Sequence, residues 1–332
     1  MTLRVGIIGA GWIAQRHVPA IDGADGASLV AVCDADVSRA RAIADPRGIP
    51  AYREWEEMLD REALDALWVC VPPLFHSGPT VAALELGTHV YLEKPLARSV
   101  PEGEKIAAAA RRSSAVCMVG YQWHASELLD VVRAALGERR VGMLIGRNYG
   151  PAAARAWVID RRQGGGQILE RGSHHIDLQR AIAGEIVAVE AREGSVELAS
   201  HERTGDSIED VLALVFHFAG GGLGTVNLAW TAEGQPELYA LDVIGQDSSI
   251  WLELGPVKFR ALGRAGAEEI NVSYGDPFHR SVGRFFDAVR TGDGARIFCT
   301  PEDALETLRV AVACEEALAA GSRIEVSAQA QA

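Results

Sequence analysis

The run Val5-Gly6-Ile7-Ile8-Gly9-Ala10-Gly11-Trp12-Ile13-Ala14 decides the fold. Leu3 to Ile8 is an apolar stretch that reads as a short buried strand. Gly9-x-Gly11-x-x-Ala14 follows and runs into a helical pattern from Trp12 to Ile21. This is a dinucleotide-binding fingerprint with alanine in its third place. Gly9 permits the tight turn out of the strand. Gly11, without a Cβ, lets the backbone approach a pyrophosphate, which would rest on the positive end of the helix. Ala14 is small enough for helix and strand to pack closely. Trp12 and Ile13, in the first helical turn, join Gly9 and Gly11 as expected cofactor contacts. A second apolar strand, Ser28 to Cys33, ends in Asp34, twenty residues beyond Ala14. A carboxylate there accepts hydrogen bonds from ribose hydroxyls and repels a 2′-phosphate. NAD is therefore expected, while Arg39 and Arg41 lie near enough to leave NADP open. A glycine turn in some other α/β unit, with Asp34 as a helix cap, is the competing explanation. The order strand, turn, helix, strand, acid weighs against it.

Outward from this run, strand and helix patterns alternate as far as Val119. Helices are expected at Val37 to Ala44, Glu54 to Leu59, Ser77 to Leu86 and Glu102 to Arg112. Strands are expected at Ala51-Tyr52, Ala66 to Val71, Val90 to Leu92 and Ala115 to Val119. Alternation of this kind implies a doubly wound parallel sheet, whose ligands bind beyond the carboxyl ends of the strands. Val71, Pro72, Pro73, His76, Glu93 and Lys94 all follow strand ends and are expected to gather at the cofactor with Gly9 and Asp34. The first domain is drawn at residues 1–122.

From residue 123 to 332 the pattern changes. A helix at Ser126 to Leu136 leads to a strand at Gly142 to Asn148. An arginine-rich stretch, Arg155 to Gln163, precedes Gly164-Gly165-Gly166 and a helical segment at Gln167 to Ile182. Val187 to Val272 is mostly strand with short connections, which argues for an open, mostly antiparallel sheet. Helices at Pro277 to Arg290 and Pro301 to Ala319 close the chain. Thr300 and Asp303 form a capping-box-like start to the second of these. A long sheet with helices on one face needs a cover on the other, so a homodimer or homotetramer through that face is expected.

The 332 residues exceed one ordinary core. The net charge of −13 argues against nucleic acid or an anionic membrane as partner. No run is long and apolar enough to span a bilayer. Leu3 enters the first strand at once, leaving no room for a signal peptide. Cys33, Cys70, Cys117, Cys299 and Cys314 show no metal-type spacing and read as reduced core residues of a cytoplasmic protein.

Two constellations carry chemistry. Lys94 stands after a strand end between Glu93 and Pro95, and proline biases it to an extended backbone. A cation there polarises a substrate oxygen near a nicotinamide; a surface loop lysine is the bland alternative. Glu170 and His174 are spaced i, i+4, which on an α-helix puts them on one face. A carboxylate one turn before an imidazole orients the ring and raises its basicity, which suits a general base. Asp177 falls on the same side, and His175 is expected to point elsewhere. A solvated amphipathic helix explains the spacing equally well. Glu170, His174 and Asp177 match no recognised ligand spacing, so no metal is expected. Tyr121, Trp123, His124, Tyr149, Arg155, Trp157 and Arg161 would line a cleft for a polyhydroxylated small molecule.

Taken together, these motifs resemble the glucose–fructose oxidoreductase / inositol dehydrogenase / MocA-like family. The resemblance rests on Val5 to Ala14, Val-Pro-Pro-Leu-Phe-His (71–76), Gly-Thr-His-Val-Tyr-Leu-Glu-Lys-Pro-Leu-Ala (87–97), Gly-Gly-Gly-Gln-Ile-Leu-Glu-Arg-Gly-Ser-His-His-Ile-Asp (164–177) and Thr-Pro-Glu-Asp-Ala (300–304). It spans nearly the whole chain. It implies an N-terminal Rossmann domain and a C-terminal α/β domain with an open, mostly antiparallel sheet. It further implies NAD(P)-dependent hydride transfer at a sugar, inositol or polyol carbon. Lys94 matches the family's catalytic lysine. Glu170 and His174 match an Asp-x-x-x-His pair, with glutamate replacing the usual aspartate. Tyr121-Gln122-Trp123-His124 departs from the family, which often carries arginine there, and points to a divergent substrate. A nucleotide-binding regulator without catalysis, and an NAD-recycling glycosidase or lyase, are the rival expectations.

Overall fold

The computed structural model describes residues 2–151, 156–194, 209–231, 237–254, 257–263, 266–270 and 276–326. Arg155 lies outside them. The chain divides into two compact units, Met1–Ala125 with Asp276–Leu305, and Ser126–Gly275 with Glu306–Ala332.

The first unit alternates as its hydrophobic pattern dictates. Its elements are β1 (Leu3–Ile8), α1 (Trp12–Asp22), β2 (Ala27–Cys33), α2 (Val37–Ala44), β3 (Ala51–Tyr52), α3 (Trp55–Arg61), β4 (Ala66–Val69), α4 (Ser77–Glu85), β5 (His89–Leu92), α5 (Val100–Arg112) and β6 (Cys117–Val119). The six strands pair in parallel in the order β3-β2-β1-β4-β5-β6. The order reverses direction between β1 and β4, which is where such sheets take a dinucleotide. Asp36 caps α2 by accepting from the Ser38 backbone amide.

One helix of this unit arrives from far along the chain. Sequence alone assigns Pro277 to Arg290 to the second domain. In the structure the helix Pro277–Thr291 belongs to the first unit and contributes Val282, Phe285, Phe286 and Ala288 to the same core as Val5, Ile7 and Trp68. The Trp68 ring stacks on Tyr91 at 5.2 Å and meets Phe285 edge-on at 5.0 Å. Burying each phenylalanine ring contributes about 2–3 kcal/mol.

The second unit begins with α6 (Glu127–Leu136), capped by Ser126, and β7 (Val141–Pro151). After α7 (Ala156–Ile159) and α8 (Arg161–Gly164) comes a π-helical turn at Ile168–Gly172. It leads directly into α9 (Ser173–Ala183). The strands are β8 (Ile186–Gly194), β9 (Val211–Phe218), β10 (Leu223–Thr231), β11 (Leu238–Gly245), β12 (Ser248–Leu254), β13 (Val257–Gly263) and β14 (Gly266–Ile270). After α10 (Pro277–Thr291), α11 (Pro301–Ala320) and β15 (Ile324–Glu325) complete the described chain. The sheet runs β14-β13-β12-β11-β7-β10-β9-β8-β15. Every pair is antiparallel except β7 and β10. α9 packs on β7 through the absent side chain of Gly146, where a Cβ would stand 2.7 Å from His175 Nδ1. Gln179, one turn on, donates to the Thr225 carbonyl of β10.

Candidate functional site

The glycine turn is built as its residue types require. Gly9 has φ +91°, and a Cβ on it would stand 2.5 Å from the Cys70 carbonyl oxygen, so β1 and the end of β4 admit nothing larger. Gly11 is different. It caps α1 with φ −75°, and a Cβ there would meet no protein atom within 4 Å. No protein neighbour demands glycine at this place, and the backbone is left open to an approach from outside. Trp12 is 55% exposed at the start of the same helix, and Ile13 is half-buried.

Asp34 ends β2 beside this turn. Its Oδ2 accepts from the Ala10 backbone amide at 2.7 Å and its Oδ1 from the Asp36 amide at 2.9 Å. The carboxylate thus clasps the glycine turn and stays half-buried, with lone pairs left for a ribose hydroxyl. Arg39 pairs with Asp36 at 3.5 Å, on an exposed surface.

Three of the expected site residues are buried. The His76 ring is completely buried, with Nε2 2.8 Å from the Val71 carbonyl and Nδ1 3.3 Å from the Leu96 carbonyl. Burial pushes its pKa down, and the neutral ring has one N–H to donate, for which the Val71 carbonyl is the nearer acceptor. Glu93 is buried as well. Its Oε1 meets His17 Nε2 at 2.6 Å and its Oε2 accepts from the Lys94 amide at 3.1 Å. His76 and Glu93 therefore shape the loop from inside. Tyr121, expected to line a substrate cleft, is 1% exposed. Lys94 itself is half-buried, follows β5 and precedes a cis peptide to Pro95. Val71 and Pro72 remain partly exposed at the end of β4.

The second unit holds the Gly164 to Asp177 segment. Gly165 and Gly166 both take positive φ, turning the chain sharply before the π turn. Gln167 is fully buried; its amide donates to Glu209 Oε1 and its Nε2 to the carbonyls of Glu209 and Asp210. Arg161 pairs with Glu209 at 2.5 Å and with Glu193 at 3.6 Å. Its guanidinium thus joins this anchor and keeps 33% exposure. Arg171 lies 4.2 Å over the Trp230 ring and donates to the Pro151 carbonyl at 2.9 Å.

Glu170 sits inside the wider π turn and His174 in the first turn of the α-helix after it. Such turns concentrate at functional sites. His174 is half-buried and meets Tyr239 edge-on at 6.4 Å between centroids. His175 points away from solvent. It is fully buried and stacks on Tyr239 at 4.4 Å, and burial pushes its pKa down to about 3. Asp177 is 1% exposed; burial and the Asp177 charge hold the Tyr239 phenol well above its ordinary range. Trp157 is half-buried in α7.

Comparison with known proteins agrees with this architecture. Residues 3–121 match the model of an oxidoreductase family with an NAD-binding Rossmann fold, and residues 127–251 match the GFO/IDH/MocA C-terminal domain. The chain belongs to the Gfo/Idh/MocA oxidoreductases. A 1,5-anhydro-D-fructose reductase of Ensifer adhaerens is 26% identical over 97% of this chain and 98% of its own. A myo-inositol 2-dehydrogenase of Thermotoga maritima is 27% identical over 68% of each. Among solved structures, levoglucosan dehydrogenase in complex with NADH shares the fold with a TM-score of 0.86 and 20% identity, covering 98% of this chain and all of that one. As in other Gfo/Idh/MocA proteins, the first unit is an NAD-binding Rossmann domain, and the open approach to Gly11 beside Asp34 fits the dinucleotide.

Sequence reasoning missed His17, Tyr239 and the Gln167–Glu209 anchor. His17 carried a signal. It interrupts the apolar stripe Ala14, Val18, Ile21 on the inner face of α1, where a histidine needs a buried partner. Tyr239 and Glu209 carried none, because strand pairing brings them to α9 and the π turn from distant sequence. No described helix is long and apolar enough to cross a membrane.

Proposed function

We propose that the protein transfers a hydride between NAD and a secondary alcohol or its ketone on a sugar, inositol or related polyol. The observation that carries this is Gly11, a glycine no protein neighbour requires, at the N-terminus of α1 with Asp34 clasped to the same turn. The nicotinamide, when bound, supplies the hydride chemistry. His174 takes the hydroxyl proton as general base. The Lys94 ammonium stabilises the alkoxide oxygen and, in the reverse direction, polarises the ketone. Glu170, reaching from the π turn, orients His174. Trp123 and Trp157 contribute aromatic contacts to the polyol. The sugar and inositol names of the relatives support that substrate class.

We further propose that a second copy of the chain covers the outer face of the second sheet. Leu262, Ile244 and Leu223 stand 38–44% exposed, and the strand register places them in one row with Ser249 and Met143. The function is tested by following reduced nicotinamide absorbance with NAD and a panel of inositols, aldoses and sugar acids. Turnover on a polyol that Lys94→Ala abolishes supports the assignment. NAD binding without turnover on any of them contradicts it, and favours a regulator or an NAD-recycling lyase.

A further inference from the structure

We propose that His124, Cys299 and Asp303 of the first unit form a binding site for one zinc-class divalent cation. His124 and the Cys299–Asp303 pair come from two distant stretches of chain, yet the three donor atoms lie within 4.8 Å of one another. Cys299 Sγ is 3.4 Å from Asp303 Oδ2, and His124 Nδ1 is 3.8 Å from the same oxygen. A tetrahedral zinc ion with ordinary bond lengths puts sulfur, nitrogen and oxygen ligands about 3.3–3.5 Å apart. The side chains therefore stand close to the separations an ion would impose.

The donor set is chemically selective. Thiolate with imidazole and one carboxylate suits zinc or cobalt, and suits magnesium or calcium poorly. The backbone holds the donors in place. Val119, last residue of β6, donates to the Cys299 carbonyl at 3.0 Å. The His124 amide closes a turn onto the Tyr121 carbonyl, also at 3.0 Å, just beyond the same strand. The Asp303 amide donates to Thr300 Oγ1 at 3.2 Å. Both segments are thus pinned at the end of β6. Cys299 is fully buried, while the side chains of His124 and Asp303 keep 15% and 36% exposure, which gives an ion a way in.

With no ion present, the thiol donates its proton to the Asp303 carboxylate. Binding replaces that proton by the sulfur–metal bond and releases it to solvent, so uptake is proton-coupled. His124 was expected in a substrate cleft; metal ligation is a different use of the same ring. The site does not depend on hydride transfer.

The test uses the full-length protein after chelation and dialysis, titrated with Co2+ and then Zn2+. The expected result is one Co2+ per chain with a thiolate-to-cobalt charge-transfer band, proton release on binding, and displacement by one Zn2+. Cys299→Ser loses the band. His124→Gln keeps it but binds more than about 100-fold more weakly, beyond what loss of a ligand's outer partner costs. Absence of the band in the wild-type protein overturns the proposal. So does a band that survives in Cys299→Ser, which would place the ion at one of the other buried cysteines, Cys33, Cys70, Cys117 or Cys314. Should Cys299→Ser not fold, unchanged Co2+ affinity in His124→Gln overturns it equally. NAD affinity, measured in parallel, reports on the Rossmann domain separately.

Discussion

His17 Nε2 lies 2.6 Å from Glu93 Oε1, inside the first unit and shielded from solvent. One residue is on the helix that starts at the glycine turn, and the other is on the loop that carries Lys94. A buried carboxylate whose partner is removed keeps its desolvation penalty and loses its hydrogen bond. His17→Ala is expected to lower stability by about 3 kcal/mol in urea titrations. It should also loosen the Lys94 loop, so the surviving folded enzyme turns over more slowly. A variant as stable as the parent would mean the pair is incidental.

Gly9 and Gly11 separate packing from binding. Gly9→Ala brings a Cβ onto the Cys70 carbonyl at positive φ and should fold poorly or not at all. Gly11→Ala meets no protein atom, so its thermal unfolding should change by less than about 0.5 kcal/mol. Its NAD affinity, read by calorimetry, should nevertheless fall at least about tenfold, from loss of close approach to the pyrophosphate. Normal NAD affinity in Gly11→Ala contradicts the placement of the cofactor.

Lys94→Ala should reduce kcat by about 10²–10³-fold and leave NAD affinity within a few-fold. Equal losses in both would make Lys94 a cofactor anchor rather than the group that stabilises the alkoxide. His174→Gln should likewise lower kcat, and the pH dependence of kcat/KM should lose its basic-group limb.

Asp34 sets the nucleotide. NAD should bind more tightly than NADP, and Asp34→Ser should narrow the ratio by removing the charge that opposes a 2′-phosphate. A tighter NADP site in the wild-type protein contradicts this. Part of the effect will be indirect, because the Asp34 carboxylate also holds the Ala10 amide.

His175 predicts an acid limb of stability. Its folded pKa is depressed to about 3 against an ordinary 6.5. Between those values the unfolded chain binds the proton and the folded chain does not, so stability falls as pH falls through that window. His175→Phe keeps a ring on Tyr239 and removes the titration. The difference between wild-type and variant unfolding free energies should shrink as pH drops from about 6.5 toward 3. His76, also depressed by burial, adds a limb of the same sign that the variant retains. A pH-independent difference would mean His175 is protonated, or absent from the core.

Local grammar made much of the fold legible. Gly9, Gly11, Ala14 and Asp34 each act on neighbours within one strand-turn-helix unit, so their spacing carries the information. The same holds for the cap at Asp36 and for Thr300 with Asp303. What stayed hidden depends on chain segments meeting across long separations. Glu93 and His76 follow strand ends as the pattern demands, but only tertiary packing decides that their side chains turn inward. The π turn at Ile168–Gly172 is accompanied by contacts of Gln167 with Glu209 and of Arg171 with Trp230. Neither contact has a periodic signature. The pairing of Arg161 with Glu209 was hidden as well, because Glu209 is remote in sequence.

The return of α10 to the first unit has a consequence for how this protein is made. Phe285 and Phe286 pack against Trp68, yet a ribosome adds them more than two hundred residues after Trp68. The nucleotide-binding half emerges first but lacks a wall of its own core until translation is nearly finished. During that interval Trp68 and its neighbours have no native cover, and a chaperone or premature collapse competes for them. A fragment ending at Ala125 would carry the complete nucleotide fingerprint and still not be a self-sufficient domain.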